Sequence, residues 1–203
     1  MTLPRAVGVV VAILVAVTAC TSSSSGGIEP GPTFSPNPKR SELVQRADLD
    51  PCPRSSTAVA ADGLPDVTLP CLGAGPVVHL AGLGGRPTVL NVWGSWCGPC
   101  QKETPYFARA YDALKSRVQF LGVDDEDDPD SALDFAAHVS PRMRYPSVID
   151  ENKQVLLGLH GFVGVPSTIF VGADGKVVKQ VSSAYASTAQ LQADIARYLG
   201  VQG

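Results

Sequence analysis

The run Thr88-Val89-Leu90-Asn91-Val92-Trp93-Gly94-Ser95-Trp96-Cys97-Gly98-Pro99-Cys100 decides the fold. Its first six residues are mostly apolar and rich in β-branched or aromatic side chains, the pattern of a strand buried on both faces. A helix start follows at once. Gly98 and Pro99 open it without strain, because proline in a first helical turn gives up no needed hydrogen bond. Pro99 to Lys115 is expected to be helical, with Phe107, Ala110, Tyr111 and Leu114 on one face, and Val118 to Val123 forms a second apolar strand. Strand, helix and strand at this spacing predict a right-handed crossover that places the two strands parallel in one sheet.

Cys97 and Cys100 stand on one turn of that helix and can approach within disulfide reach. The helix N-terminus carries partial positive charge and free N–H groups, so Cys97 is expected to lose its proton more easily than a free cysteine and to act as nucleophile. Cys100, one turn deeper, is placed to resolve a mixed disulfide. Trp96 is expected to shield the pair from one side.

Working outward, Ser131 to Val139 reads as a helix, Pro146 to Ile149 as a short strand and Glu151 to Leu159 as another helix. Ser167 to Val171 and Lys176 to Val181 are strands joined by the turn Gly172-Ala173-Asp174-Gly175, and a C-terminal helix runs from about Ser187 to Leu199. Upstream, Val67-Thr68-Leu69 and Val77 to Leu80 suggest a hairpin around Gly73-Ala74-Gly75. Leu43, Val44, Ala47 and Leu49 suggest a short helix opened by Ser41 with Glu42 in its first turn. The fold class is α/β: a mixed central sheet flanked by helices, with an N-terminal hairpin extension.

Trp96-Cys97-Gly98-Pro99-Cys100 after a buried strand resembles thioredoxin. The longer run Val89 to Pro105, which includes Gln101-Lys102-Glu103-Thr104-Pro105, resembles the membrane-anchored, extracytoplasmic TlpA/ResA branch of that superfamily. So do Phe120-Leu121-Gly122-Val123, Tyr145-Pro146 and Gly164-Val165-Pro166-Ser167-Thr168. The resemblance covers roughly residues 60 to 199 and implies a thioredoxin-like fold and a thiol-disulfide oxidoreductase. It implies that Pro166 is a cis proline facing the dithiol, with the Val165 backbone pairing with a substrate polypeptide; alternatively Pro166 simply starts an edge strand. Glu103 matches a carboxylate that this branch keeps near its active site. It either tunes thiol acidity or moves a proton, or it is a surface acid complementing the helix dipole. Asn91 stands where thioredoxin has a buried aspartate, which makes Glu103 the more interesting group.

The chain has 203 residues, 44% of them apolar, 17% charged and 6% aromatic, which describes one globular domain with some chain to spare. Its net charge is −3 and its longest basic cluster is Lys39-Arg40, so nucleic acid is not expected as a partner. Arg5 followed by the apolar run Ala6 to Ala19 is shorter than the roughly 20 residues needed to span a bilayer, and it reads as a signal peptide over residues 1–19. Val17-Thr18-Ala19-Cys20 resembles the lipobox of bacterial lipoproteins, which implies lipidation at Cys20; a plain signal peptide with an incidental cysteine is the alternative. Residues 20–40, rich in Ser, Gly and Pro, read as a flexible tether to a domain over 41–203 with its core at about 60–199.

Cys52 and Cys71 lie outside the helix-start pair and flank proline-containing loops, and they are expected to form a structural disulfide. A second redox pair is the rival. A four-cysteine zinc site would need metal-like spacing in both pairs, which only one has. Asp124-Asp125-Glu126-Asp127-Asp128-Pro129-Asp130 lacks the glycine and terminal glutamate of a calcium loop and is expected to be a solvated loop after a strand. His79, His138 and His160 show no ligand spacing. No metal or cofactor is called for.

These features point to a lipid-anchored thiol-disulfide oxidoreductase on the extracytoplasmic face of the cell membrane. By resemblance to the ResA branch it reduces protein disulfides such as those of apocytochrome c in cytochrome c maturation, with a CcdA-like membrane protein as electron donor. The same fold could run in reverse as an oxidase of exported protein thiols. A non-catalytic anchored binding or chaperone module is a third possibility. A peroxidase is a fourth, for which the PxxxTxxC pattern is absent.

Overall fold

The structure is a computed structural model that describes Thr2 and residues 38–56, 59–159, 161 and 164–201. Cys20, the signal-like run, the tether up to residue 37 and His160 lie outside the described residues. Before the central sheet the chain forms α1 (Pro38–Ala47), β1 (Thr68–Leu69), β2 (Val78–His79) and a 3-10 turn at Leu80–Gly82. Then come β3 (Thr88–Trp93), α2 (Gly98–Leu114), β4 (Gln119–Asp125), α3 (Pro129–His138) and β5 (Ser147–Asp150). The chain closes with α4 (Gln154–Gly158), β6 (Ser167–Val171), β7 (Val177–Val181) and α5 (Thr188–Leu199). The architecture is the thioredoxin-like one that the motif order implies.

The main sheet has the order β5-β4-β3-β6-β7. β3 pairs parallel with β4 and antiparallel with β6, so it is central, and all six of its residues are buried. A strand covered on both faces has no polar face to show, which is why its sequence is a nearly unbroken apolar run. Alternation still sorts its side chains. Val89 and Trp93 join the cluster that holds Phe107, Tyr111 and Leu114 of α2, Leu43 and Ala47 of α1, Leu133 of α3 and Ile195 of α5. Leu90 and Val92 face the other cluster, with Leu69, Val78, Leu80 and, from α4, Val155 and Leu156. Burying Leu43 is worth about 2 kcal/mol, which fastens α1 to the domain.

The paired strands β1 and β2 form the expected N-terminal hairpin extension, antiparallel with Thr68 opposite His79. Just after β1, Cys71 bridges to Val148 on the free edge of β5, and Leu72 N–H donates to the Ser147 carbonyl. The Cys52–Cys71 disulfide joins this cover to the segment following α1. Gly75, at φ 127°, permits the close approach, since a Cβ there would stand 2.6 Å from the Cys52 nitrogen.

Three local expectations are corrected. α1 begins at Pro38 rather than Ser41, because proline is tolerated in a first helical turn. α4 begins at Gln154 rather than Glu151: the Asp150 carboxylate accepts from the Gln154 and Val155 N–H groups and so caps the helix from the end of a strand. The acidic run is not wholly a solvated loop. β4 continues through Asp124 and Asp125, which are fully buried between β3 and β5. Burial pushes the Asp124 carboxyl up to about 9 and that of Asp125 to about 7, with neighbouring Asp127 adding to the first and Lys153 opposing the second.

Candidate active site

β3 ends at Trp93, and four residues later Cys97 caps α2 in extended conformation. Cys97 and Cys100 are joined by a disulfide, with Cα atoms 5.2 Å apart. The Cys97 sulfur accepts the Cys100 N–H at 3.2 Å, one of the donors that a helix start leaves without an intrahelical partner. An N–H aimed at that sulfur, together with the helix dipole, favours the thiolate over the thiol. α2 carries no acidic residue in its first turn to oppose this. Cys97 is 4% exposed and Cys100 is fully buried, so Cys100 cannot be reached from outside.

The loop entering Cys97 is held by the end of the acidic run. The Asp127 carboxylate accepts from the Ser95 N–H and, at 3.1 Å, from its hydroxyl. The Trp96 indole N–H donates to the Asp125 carbonyl at 3.3 Å, and the Gln101 side-chain amide donates to the Ser95 carbonyl. Trp96 is 55% exposed, so it forms an apolar shoulder beside the pair rather than a closed shield. Asp128 caps α3 through the Ser131 N–H, which absorbs another acid of the run.

Pro166 is preceded by a cis peptide bond. It directly precedes β6, whose first residue Ser167 pairs with Val92 near the end of β3. The segments leading to Cys97 and to β6 therefore emerge at one end of the sheet. Val165 packs against the cluster that contains both cysteines.

Glu103 lies one turn beyond Cys100 on α2 and is 1% exposed, so it is not a surface acid. Its Oε1 accepts from Asn91 Nδ2 at 2.9 Å and its Oε2 from the Tyr185 N–H at 2.9 Å. The Tyr145 hydroxyl donates to Asn91 Oδ1 at 3.0 Å. Burial pushes the Glu103 carboxyl up to about 7, opposed by the Tyr185 and Asn91 hydrogen bonds. Tyr145, wholly buried, is pushed well above the usual tyrosine range.

Of the residues the sequence singles out, Cys97, Cys100 and Glu103 lie at the start and in the first turns of α2 with Trp96 just before it, while Val165 and Pro166 lead into β6 at the same end of the sheet. Sequence reasoning does not foresee Tyr185, which acts through its backbone and leaves no side-chain signal, nor Asp127, which is hidden among like residues. Cys52 and Cys71 lie apart, on the β5 side. Among the described residues no group of three potential metal ligands occurs, and no helix is long and apolar enough to cross a membrane. His79 contacts Asp66 at 2.6 Å and His138 contacts the Asp134 carbonyl.

The family model described as AhpC/TSA matches residues 60–180. The thiol-disulfide oxidoreductase ResA of Bacillus subtilis is 35% identical over 109 residues, which are 53% of this chain and 59% of that protein. The ResA of Geobacillus thermodenitrificans is 34% identical over 128 residues, 62% of this chain and 71% of that protein. The chain spans about three fifths of the length of the curated Bacillus relatives it matches. Among solved structures, a chain of Chlorobium tepidum assigned as thiol:disulfide interchange protein DsbE superposes with a TM-score of 0.59 at 28% identity, covering 71% of this chain and 100% of that one.

Proposed function

Because the chain belongs to the AhpC/TSA family and carries its cysteine pair at the start of a helix, we propose that it is a thiol-disulfide oxidoreductase acting on protein disulfides. The observation that carries this is Cys97 capping α2 with the Cys100 N–H on its sulfur. In the dithiol form the Cys97 thiolate attacks one sulfur of a substrate disulfide. A mixed disulfide forms and the other substrate sulfur leaves as thiolate, taking a proton. Cys100 then gives its proton to Glu103 and attacks the Cys97 sulfur. The second substrate sulfur leaves and is protonated in turn, and Cys97 and Cys100 are joined. Two electrons have passed to the substrate, and an external dithiol must return them before the next cycle.

Trp96, Val165 and Pro166 form the substrate-binding rim in this scheme. The backbone at Val165 offers strand-like hydrogen bonds to an extended polypeptide, which accommodates many sequences. The finer assignment rests on the resemblance of residues 60–199 to the TlpA/ResA branch and on the signal-like and lipobox-like sequence up to Cys20: reduction of apocytochrome c cysteines in cytochrome c maturation, electrons from a CcdA-like membrane protein, and the folded domain held outside the cell membrane by a lipid on Cys20 after removal of residues 1–19. Cys52–Cys71 is a structural clamp, supported by its position away from α2 and against the β5 edge.

The test is trapping with Cys100→Ala, which cannot resolve the mixed disulfide on Cys97. Apocytochrome c in the trap supports the cytochrome assignment; a broad set of secreted proteins refutes that assignment but keeps the oxidoreductase; no trapped protein refutes both.

A further inference from the structure

We propose that Asn91 and Tyr145 are positioning residues for Glu103: the Tyr145 hydroxyl fixes the Asn91 amide with its NH2 toward the carboxylate, keeping a fully enclosed acid able to ionise beside the dithiol. The role in exchange rests on the oxidoreductase reading; the positioning itself does not.

The argument is one of donors and acceptors. An ionised carboxylate only accepts, and both Glu103 oxygens face donors, Asn91 Nδ2 and the Tyr185 N–H. An amide side chain can present either its NH2 or its oxygen. With the oxygen toward Glu103, Asn91 would favour the protonated acid and repel the carboxylate. The Tyr145 O–H, donating to Asn91 Oδ1 on the opposite side, holds the amide in the orientation that turns its NH2 to the carboxylate. Tyr145 is itself fixed, with its ring against Phe107 and Tyr111. All three side chains of the chain Tyr145, Asn91 and Glu103 are buried, so water cannot substitute freely for a missing partner.

Glu103 is faced by Asn91 from β3, Tyr145 from the segment before β5 and Tyr185 from the segment before α5, and Cys100 lies one turn back on α2. Tyr185 directs its hydroxyl to Asp194 at 2.9 Å, away from the carboxylate. No cation among the described residues acts on Glu103, so hydrogen bonds alone oppose its desolvation. The Thr104 hydroxyl bonds the Cys100 carbonyl at 2.8 Å and also acts on Tyr145, tying the network to the turn that holds the buried cysteine. An aspartate at position 91 would instead set a second carboxylate against Glu103, and the two could not both ionise.

The test titrates the Glu103 carboxyl by carbon NMR in the oxidised full-length protein, for wild type, Tyr145→Phe and Asn91→Leu. It adds the pH profile of reduction of a disulfide-bonded peptide by the dithiol form, alone and in a Glu103→Gln background. Loss of a hydrogen bond to a charged group is expected to raise the Glu103 titration by about one pH unit in Asn91→Leu and by less in Tyr145→Phe. The rate profile should shift by the same amount, and not at all when Glu103 is Gln. Tyr145→Phe removes one oxygen and keeps the ring, so it serves if Asn91→Leu fails to fold. An unchanged or lowered titration in Tyr145→Phe overturns the proposal. A raised titration with no peptide reduction by wild type leaves the positioning standing and overturns the oxidoreductase reading. A rate shift that persists in the Glu103→Gln background overturns the link between positioning and exchange.

Discussion

Replacing Glu103 by glutamine should change the pH dependence of stability in a way that isolates this one carboxyl. Glu103 titrates at about 7 in the fold against 4.5 for an unburied glutamate, because burial outweighs its two hydrogen bonds. Between those values the folded state holds the proton and the unfolded state releases it. Stability therefore falls as pH rises from the lower value to the higher, and the loss is complete above both. The separation corresponds to about 3 kcal/mol of destabilisation in the fully ionised protein, of which only about 1 kcal/mol is present near pH 5. Glutamine keeps the shape but cannot ionise. Its amide also places a donor against Asn91 or Tyr185, a cost that does not vary with pH. Urea unfolding of the oxidised protein at several values between about pH 5 and about pH 8 should show the difference, Glu103→Gln minus wild type, moving by about 2 kcal/mol in favour of the variant. The buried carboxyls of Asp124 and Asp125 titrate in both proteins and cancel in that difference. A flat difference would refute the claim that Glu103 is held in the core as an acid with a raised titration point.

Other consequences are as direct. Replacing Cys52 and Cys71 together by serine should cost about 3 kcal/mol of stability in the chain-entropy treatment while leaving exchange at Cys97 intact, checked by denaturant unfolding and peptide reduction on one preparation. Asp127→Ala removes both hydrogen bonds to Ser95 and should slow exchange by roughly tenfold through misplacement of the loop entering Cys97, measured as kcat/KM on a disulfide-bonded peptide. Leu43→Ala should destabilise by about 2–4 kcal/mol by leaving a cavity under α1, with thiol reactivity unchanged in the folded fraction.

Much of this organisation was legible in the residues because local and tertiary preferences agree. β3 must be apolar on both faces to lie between β4 and β6, and Gly98-Pro99 must start a helix, so the strand and the cysteine turn are fixed together. Asp124 and Asp125 mislead because nothing local favours burying acids. Their burial follows from register, Trp93 opposite Asp124 and Asp125 opposite Asp150, which places them inside the sheet end. The enclosure of Glu103 was equally hidden, since an acid in the first turns of a helix suits solvent as well as core until Tyr145 and Tyr185 are brought over it from far along the chain. Asn91 stands in place of an aspartate in the sequence, and its work as the donor to Glu103 emerges only from the pairing geometry.

The most direct test is the ionisation of the Cys97 thiol in the reduced Cys100→Ser protein, followed by thiolate absorbance against pH together with the rate of attack on a small disulfide. With the helix start and the residue-100 N–H aimed at the sulfur, Cys97 should titrate well below the value of about 8.5 of a free cysteine, with the attack rate following the same curve. A titration at or above that value, with attack no faster than that of free cysteine, would contradict the account.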